Sequence, residues 1–240
     1  MRSARTLHER IARAIAPALV EKVPRDHEQS DREFLRRRVV VAITLVVGAT
    51  LLGFLLAVRP GDGLFYPLSL LVALTWVIGG FLSGPLHLGY LPFRGSLRRP
   101  VITPVVVGLA AGAVFVVGAL VVREIEPLRS YVVDVLQHAR KGSLAWIAVV
   151  TLVSGAAEEV FFRGGLFAAI GRAYPVPISA AIYALATAAT RNPMLVFAAL
   201  VLGVVLGLQR RASGGILAPM ITHVTWSAIM LFVLPPLVHA

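Results

Sequence analysis

The chain has 240 residues, of which 58% are hydrophobic and only 15% are charged, whereas a soluble domain carries about 25% charged residues. This composition excludes an ordinary soluble domain and predicts a polytopic membrane protein. The net charge of +11 comes from basic residues between apolar runs, which argues against nucleic-acid binding, and the lack of cysteine excludes disulfides, thiolate nucleophiles and Cys-bound zinc.

Residues 1–38 form a polar arm with ten basic and six acidic residues. We expect a solvated cytoplasmic arm, followed by a transmembrane helical domain over 39–240. A helix lying on the membrane surface is the less favoured alternative for the arm, and it rests on apolar residues at helical spacing: Leu7, Ile11, Ile15 and Leu19. The first apolar run starts near Val39, too far along the chain for a usual signal peptide.

Seven apolar segments follow the arm, near 39–58, 64–82, 101–122, 144–163, 176–190, 194–209 and 214–236. A helix needs ~20 residues to cross the hydrocarbon core, so the fifth and sixth segments are predicted to be short, and therefore tilted, broken or partly re-entrant. The predicted fold class is all-α, a polytopic transmembrane bundle of about seven spans.

Basic residues predict the orientation of the bundle. With the N-terminus inside, seventeen basic residues fall inside and six outside, and Arg163 is counted in an inside connection. The positive-inside rule therefore predicts an integral protein of a bacterial-type plasma membrane, with its N-terminus in the cytoplasm and its C-terminus outside. The longest connection, 123–143, mixes charged and apolar residues and is predicted to be an amphipathic helix along the interface.

Two adjacent acids, Glu158 and Glu159, stand inside the fourth apolar segment, four residues before Arg163. A charge at the centre of a bilayer costs at least ~2.5–3.5 kcal/mol, and such residues usually mark a function. On a helix, Glu159 and Arg163 share a face and can pair, whereas Glu158 points elsewhere, free to face a cavity as a general base. A salt-bridged packing device is the alternative, and the second acid fits that alternative badly.

Two further segments carry polar residues in apolar surroundings. His223 and Ser227 lie one helical turn apart in the last segment and present two hydrogen-bond donors on one face. We expect Glu158 to face His223 across a pocket. Tyr183 and Thr187 share a face of the fifth segment, which taken alone is typical of helix packing, and a lone membrane histidine is usually a packed residue too.

The order of these residues resembles the CPBP family, also called the Abi or CAAX-type intramembrane proteases. That family has an EExxxR motif, then an aromatic-xxx-His motif, and a late motif that begins with histidine and ends in asparagine. Glu158, Glu159 and Arg163 match the first motif, and His223 matches the start of the last. The likeness covers roughly residues 140–235.

The chain departs from the family at two motif positions. Thr187 stands where the family has its second-motif histidine, and Ser227 stands where it has asparagine. The resemblance implies that Glu158 is the base and that His223 and Ser227 hold the oxyanion, while Thr187 can orient a water but is no base near pH 7. Loss of an oxyanion donor typically costs ~10²–10³ in rate and loss of a base-assisting histidine ~10²–10⁴, which leaves a slow enzyme or a pseudo-enzyme open.

No cofactor is predicted. Catalytic zinc usually has three protein ligands, and this sequence offers at most Glu158 and His223, so a metal-independent glutamate mechanism is favoured over a divalent metal such as zinc. The predicted function is an endopeptidase that acts on a membrane-associated peptide or protein. The alternatives are a weak or inactive scaffold or regulator on the same fold and, last, a transporter, which would be expected to show internal repeats.

Overall fold

The computed structural model describes residues 15–24, 27–93 and 95–238. Within these residues, six helices are long and apolar enough to cross a membrane, and a shorter apolar helical segment, Pro175–Thr190, brings the number of candidate crossings to seven. The predicted all-α polytopic bundle of about seven spans is confirmed, and the protein is an integral membrane protein.

In chain order the helices are α1 (Asp31–Ala57), α2 (Phe65–Ser83), α3 (Ile102–Val122), α4 (Glu126–Arg140), α5 (Leu144–Glu159), α6 (Phe167–Ile170), α7 (Pro175–Thr187), α8 (Pro193–Ser213), α9 (Leu217–Phe232) and α10 (Leu234–Leu237). A π-helical segment, Val160–Leu166, joins α5 to α6, and a 3-10 turn, Ala188–Thr190, follows α7. A small antiparallel hairpin of β1 (Leu91–Phe93) and β2 (Ser96–Arg98) lies between α2 and α3 and was not predicted from the sequence.

The first membrane helix begins earlier than its apolar run. Ser30 caps α1, because its hydroxyl accepts from the Glu33 backbone N–H and the Glu33 side chain accepts from the Ser30 backbone. The last residues of the predicted arm are therefore helical, and Arg37 is fully buried. Of the arm's predicted amphipathic helix, Leu7 and Ile11 lie outside the described residues, while 15–19 are helical.

The fourth span runs through Leu144–Ile170, so its predicted end at residue 163 is wrong. Arg163 lies inside the span and not in a connection, because Glu159 of the same helix compensates its charge. The sixth segment was also predicted too short. Helix α8 has 21 residues, because Arg210 and Arg211 form its last turn before Gly214 ends it in the left-handed conformation. The fifth segment is short, as predicted.

The helix ends gather at two opposite ends of the bundle. At the end where α1 begins, Arg37 donates to the Ser83 hydroxyl at the end of α2, and Arg38 donates to the Ala169 carbonyl near the end of α6. At the other end, the predicted helix in 123–143 forms α4. There Arg140 donates to the Pro235 carbonyl of α10.

An aromatic row connects the core to the polar residues of α5 and α7. Trp76 of α2 is fully buried and stacks on Phe161 with ring centroids 4.8 Å apart. Phe162 continues the row to Tyr183, with centroids 4.5 Å apart. A Cβ at Gly48 would overlap the Trp76 ring, so glycine is required there for α1 to approach α2 this closely.

Candidate active site

The two adjacent acids lie where the α-helical pattern ends. Glu158 and Glu159 are the last residues of α5, and the π-helical segment that follows is buried throughout. A π-helical turn widens the helix and leaves a carbonyl without its usual partner, and such turns are frequent at functional sites. In this protein Arg210 of α8 donates from Nε to the Arg163 carbonyl at 2.6 Å, which compensates for the irregular turn.

Glu159 is the centre of a buried charge cluster. Its Oε1 accepts from Arg163 Nη1 at 3.0 Å and contacts His223 Nδ1 at 2.8 Å. The Glu159 side chain is 0% exposed and that of Arg163 1% exposed, so the predicted i,i+4 pair forms out of contact with water. A carboxylate accepts hydrogen bonds, which assigns the proton of this contact to Nδ1 of His223.

Glu158 has a different partner from its neighbour. The hydroxyl of Tyr183 donates to Glu158 Oε2, and the Glu158 residue is only partly buried. The Tyr183 ring also lies under the Arg163 guanidinium, at 4.8 Å from its centroid. The fifth segment therefore contributes a polar group to the acids, whereas the sequence pattern alone indicated a packing face.

The hydrogen bond of the His223 imidazole is to Glu159, and the expectation that Glu158 faces His223 across a pocket stays a prediction. The other edge of the imidazole faces α5 at Gly155, where an added Cβ would lie 3.6 Å from His223 Nε2 and 3.3 Å from Ser227 Oγ. Ser227 and the Nε2 edge of His223 thus point at the same stretch of α5, one turn before the acids. The absence of a side chain at Gly155 keeps that space open.

The hydroxyl of Thr187 faces its own helix. It donates to the Tyr183 carbonyl at 2.9 Å, and Thr187 is buried. Thr187, which stands in place of the family's histidine, therefore donates its hydroxyl proton to the backbone. This leaves Tyr183 as the side chain of α7 that contacts Glu158.

Two residues that the sequence analysis did not include in the site support Arg163. The Gly203 carbonyl of α8 accepts from Arg163 Nη2 at 3.5 Å, and α8 also carries Arg210. A Cβ at Gly203 would lie 3.2 Å from Ala180 of α7, so the glycine lets α8 pack closely there.

The donor set does not fit a catalytic zinc ion. In the part of the chain that the structure describes, no three His, Cys, Asp or Glu side chains come together as ligands. Glu159 Oε1 already accepts from Arg163 Nη1 and contacts His223 Nδ1, and the Arg163 charge beside it would repel a metal ion.

One comparison with known proteins bears on this site. Residues 140–229 match a family model described as type II CAAX prenyl endopeptidase Rce1-like. The resemblance to the CPBP family is confirmed over this region. At the level of the family, the match supports a CAAX-type intramembrane endopeptidase. It covers the acids, Arg163, Thr187, His223 and Ser227, and it leaves out α1 to α3.

Searches of curated proteins and of solved structures gave no significant match to the chain.

Proposed function

We propose that this protein is an intramembrane endopeptidase in which Glu158 activates a water molecule. The observation that carries the proposal is that the two acids have different hydrogen-bond partners. Glu159 is bound to Arg163 and His223, whereas the one hydrogen bond of the Glu158 carboxylate among the described residues comes from the Tyr183 hydroxyl. A structural ion pair needs only one acid, Glu159, so the second acid, Glu158, is available to act in catalysis.

The proposed reaction begins with proton transfer from water to Glu158. Tyr183 donates to Oε2, which leaves Oε1 to accept the proton while the water oxygen attacks the peptide carbonyl carbon. The tetrahedral intermediate then collapses, the C–N bond breaks, and the proton on Glu158 passes to the leaving amine. The carboxylate is thereby restored and one water is consumed per bond cleaved.

The oxyanion of that intermediate is assigned to His223 and Ser227. This role requires the imidazolium form of His223, in which Nδ1 donates to Glu159 at 2.8 Å and Nε2 carries a proton as well. The Nε2 edge and Ser227 Oγ face the same side of α5, so both can donate to one oxygen. Glu159 and Arg163 are positioning residues in this scheme, and Arg163 fixes the carboxylate that orients the imidazole.

The proposed substrates are membrane-associated peptides or proteins in the lipid bilayer. The described basic residues support a cytoplasmic N-terminus and an outer C-terminus, because ten lie at the end where α1 begins and six at the other. The first group is Lys22, Arg32, Arg36, Arg37, Arg38, Arg98, Arg99, Arg172, Arg210 and Arg211; the second is Arg59, Arg123, Arg129, Arg140, Lys141 and Arg191.

A second candidate function is a weak or inactive scaffold on the same fold. The observation in its favour is that the Thr187 hydroxyl bonds to the backbone and does not assist Glu158. In this reading the Glu158–Tyr183 contact is the relic of a site that lost its histidine.

The test of these two candidates is peptide cleavage by the full chain in lipid nanodiscs. A peptide library is incubated with the wild type, with Glu158→Gln, and with Glu124→Gln as a matched control at an exposed acid paired to Arg123. The proposal expects products from the wild type and the control but not from Glu158→Gln, with no effect of a chelator. No products from any protein, or equal products from all three, would support the scaffold.

A further inference from the structure

A cavity of about 360 Å³ lies at the end of the bundle where α1 begins. Its described walls come from Val23, Pro24 and His27, from residues 86–90 after α2, from Arg99 and from the turn 213–214 after α8. Neither acid of α5 nor His223 is part of these walls, so the cavity is separate from the candidate active site.

Backbone contacts hold the walls of this cavity in place. The loop after α2 docks on the turn between α8 and α9 because Ile216 N donates to the His87 carbonyl at 2.8 Å and Tyr90 N donates to the Ser213 carbonyl at 2.9 Å. A Cβ at Gly215 would overlap the backbone at Leu88, so the close approach requires glycine. Because these contacts already fix the cavity wall, little conformational entropy is lost when a ligand binds.

Three cationic or ionisable side chains line the cavity. The rings of His27 and His87 stack with centroids 3.7 Å apart and planes 8° from parallel. The Arg99 guanidinium packs on the Tyr90 ring at 4.0 Å and donates from Nη1 to the Gly89 carbonyl at 2.9 Å. A guanidinium has five N–H donors, so this one hydrogen bond leaves Arg99 able to hold a ligand as well.

The electrostatic surroundings of the cavity are positive. No Asp or Glu is among the described residues that line it. Burial lowers the pKa of His87 below its usual range, and the nearby charges of Arg210 and Arg37 lower the pKa further. Arg37 is fully buried, its hydrogen bonds go to uncharged acceptors on Gln29, Ser83 and Pro85, and Glu33 acts on it only at longer range. Positive charge around a cavity with no acid among its described lining residues favours an anionic ligand.

We propose that this cavity binds a phosphate-bearing anion, held by Arg99 together with the stacked pair of His27 and His87. Guanidinium and imidazole N–H groups make strong charge-assisted hydrogen bonds to phosphate oxygens. The cavity lies among the ends of the membrane helices, the part of a membrane protein that lies nearest to the lipid headgroups, and its volume leaves room for a substituent on the phosphate. A lipid headgroup and a soluble phosphate share this chemistry, and we expect the lipid headgroup.

Binding to the purified full chain in detergent tests the proposal. The probes are dihexanoyl phosphatidylglycerol, inorganic phosphate and, as the uncharged control, dihexanoyl glycerol. Binding is measured by calorimetry and by the shift in the unfolding midpoint read from tryptophan fluorescence. The variants are Arg99→Gln, His87→Gln and the matched control Arg98→Gln, an exposed neighbour outside the cavity wall.

We expect the phosphatidylglycerol to bind the wild type and Arg98→Gln equally, and to bind Arg99→Gln and His87→Gln about tenfold more weakly or worse, the loss expected for one charge-assisted hydrogen bond. Binding of the lipid without binding of inorganic phosphate identifies the headgroup as the source. Binding of both shows that the phosphate alone suffices.

Three results would overturn the proposal. They are the absence of binding by either phosphate probe, equal binding of dihexanoyl glycerol, and equal weakening by Arg98→Gln and Arg99→Gln. If Arg99→Gln does not fold, probe binding by His87→Gln tests the proposal instead, because this variant removes one ring of the stacked pair and leaves the guanidinium in place.

Discussion

Two buried arginines in this bundle have opposite surroundings. Arg163 is 1% exposed and meets the Glu159 carboxylate at 3.0 Å, with His223 on the same oxygen. Arg37 is 0% exposed, and its hydrogen bonds go to an amide oxygen, a hydroxyl and a carbonyl. The first charge is compensated by a direct ion pair, whereas the second has no direct ion pair among the described residues and interacts with Glu33 only at longer range.

This difference suggests what each region can do. A compensated cluster can orient an imidazole beside an uncharged peptide without attracting ions, as hydrolysis in a membrane requires. A group of cationic side chains next to a cavity that no described acid lines attracts an anion. The two regions meet through Arg210, which donates to the Arg163 carbonyl and also affects the electrostatics of His87.

The largest effect is expected from breaking the compensated pair. Arg163→Met leaves the Glu159 carboxylate buried beside an imidazole only, and removing one partner of a buried pair typically costs ~3–5 kcal/mol. Arg37→Met leaves only neutral acceptors unpaired, at about 1–3 kcal/mol. The free energy of unfolding, measured by SDS titration in mixed micelles, should therefore fall more for Arg163→Met. Equal losses would contradict the comparison.

The next effect concerns the oxyanion. Ser227→Ala removes one proposed donor and should lower kcat by ~10²–10³, with KM little changed. Ser227→Asn, which introduces the family's residue, should retain or raise kcat. The measurement is steady-state cleavage of a peptide found with the wild type. A rise in KM at constant kcat would assign Ser227 to substrate binding instead.

Restoring the family's histidine should increase activity. Thr187→His supplies a base beside Glu158, and base assistance of this kind is worth ~10²–10⁴ in rate when the geometry is right. Because Thr187 uses its hydroxyl only on the Tyr183 carbonyl, little is lost in the exchange. Turnover is compared with Thr187→Asn, a polar control that is not a base. No gain over that control would indicate that the site no longer has the family's geometry.

The smallest effect is expected at Tyr183. Tyr183→Phe keeps the ring under Arg163 and against Phe162 but removes the donor to Glu158. The loss of one hydrogen bond should cost about 1 kcal/mol in the free energy of unfolding and a change of about tenfold in kcat. A change in unfolding free energy without any change in kcat would make Tyr183 purely structural.

The sequence predicted the membrane class and four of the apolar segments closely, those near 64–82, 101–122, 176–190 and 214–236, because hydropathy decides membrane insertion residue by residue. It misplaced the end of the fourth span at 163, because a buried arginine resembles a loop charge until its carboxylate partner is located. The Glu159–Arg163 pair follows from helical spacing. The contact between His223 and Glu159 did not follow from it, because this contact depends on how α9 packs against α5 and on the π-helical turn.

Tyr183 shows the same limit at the candidate site. Its spacing to Thr187 indicates a shared face, and nothing in the sequence distinguishes a packing face from one that meets Glu158. The cavity at the end of the bundle where α1 begins could not be predicted from the sequence either, since His27, His87 and Arg99 come from three separate connections.

The central claim is that Glu158 activates the water, while Glu159 holds Arg163 and His223 in position. The most direct test is the single-turnover cleavage rate of Glu158→Gln in nanodiscs, alongside its unfolding midpoint. We expect a rate at least ~10²-fold below the wild type, as for loss of a general base, with the midpoint nearly unchanged. A Glu158→Gln protein that cleaves at the wild-type rate would contradict the account.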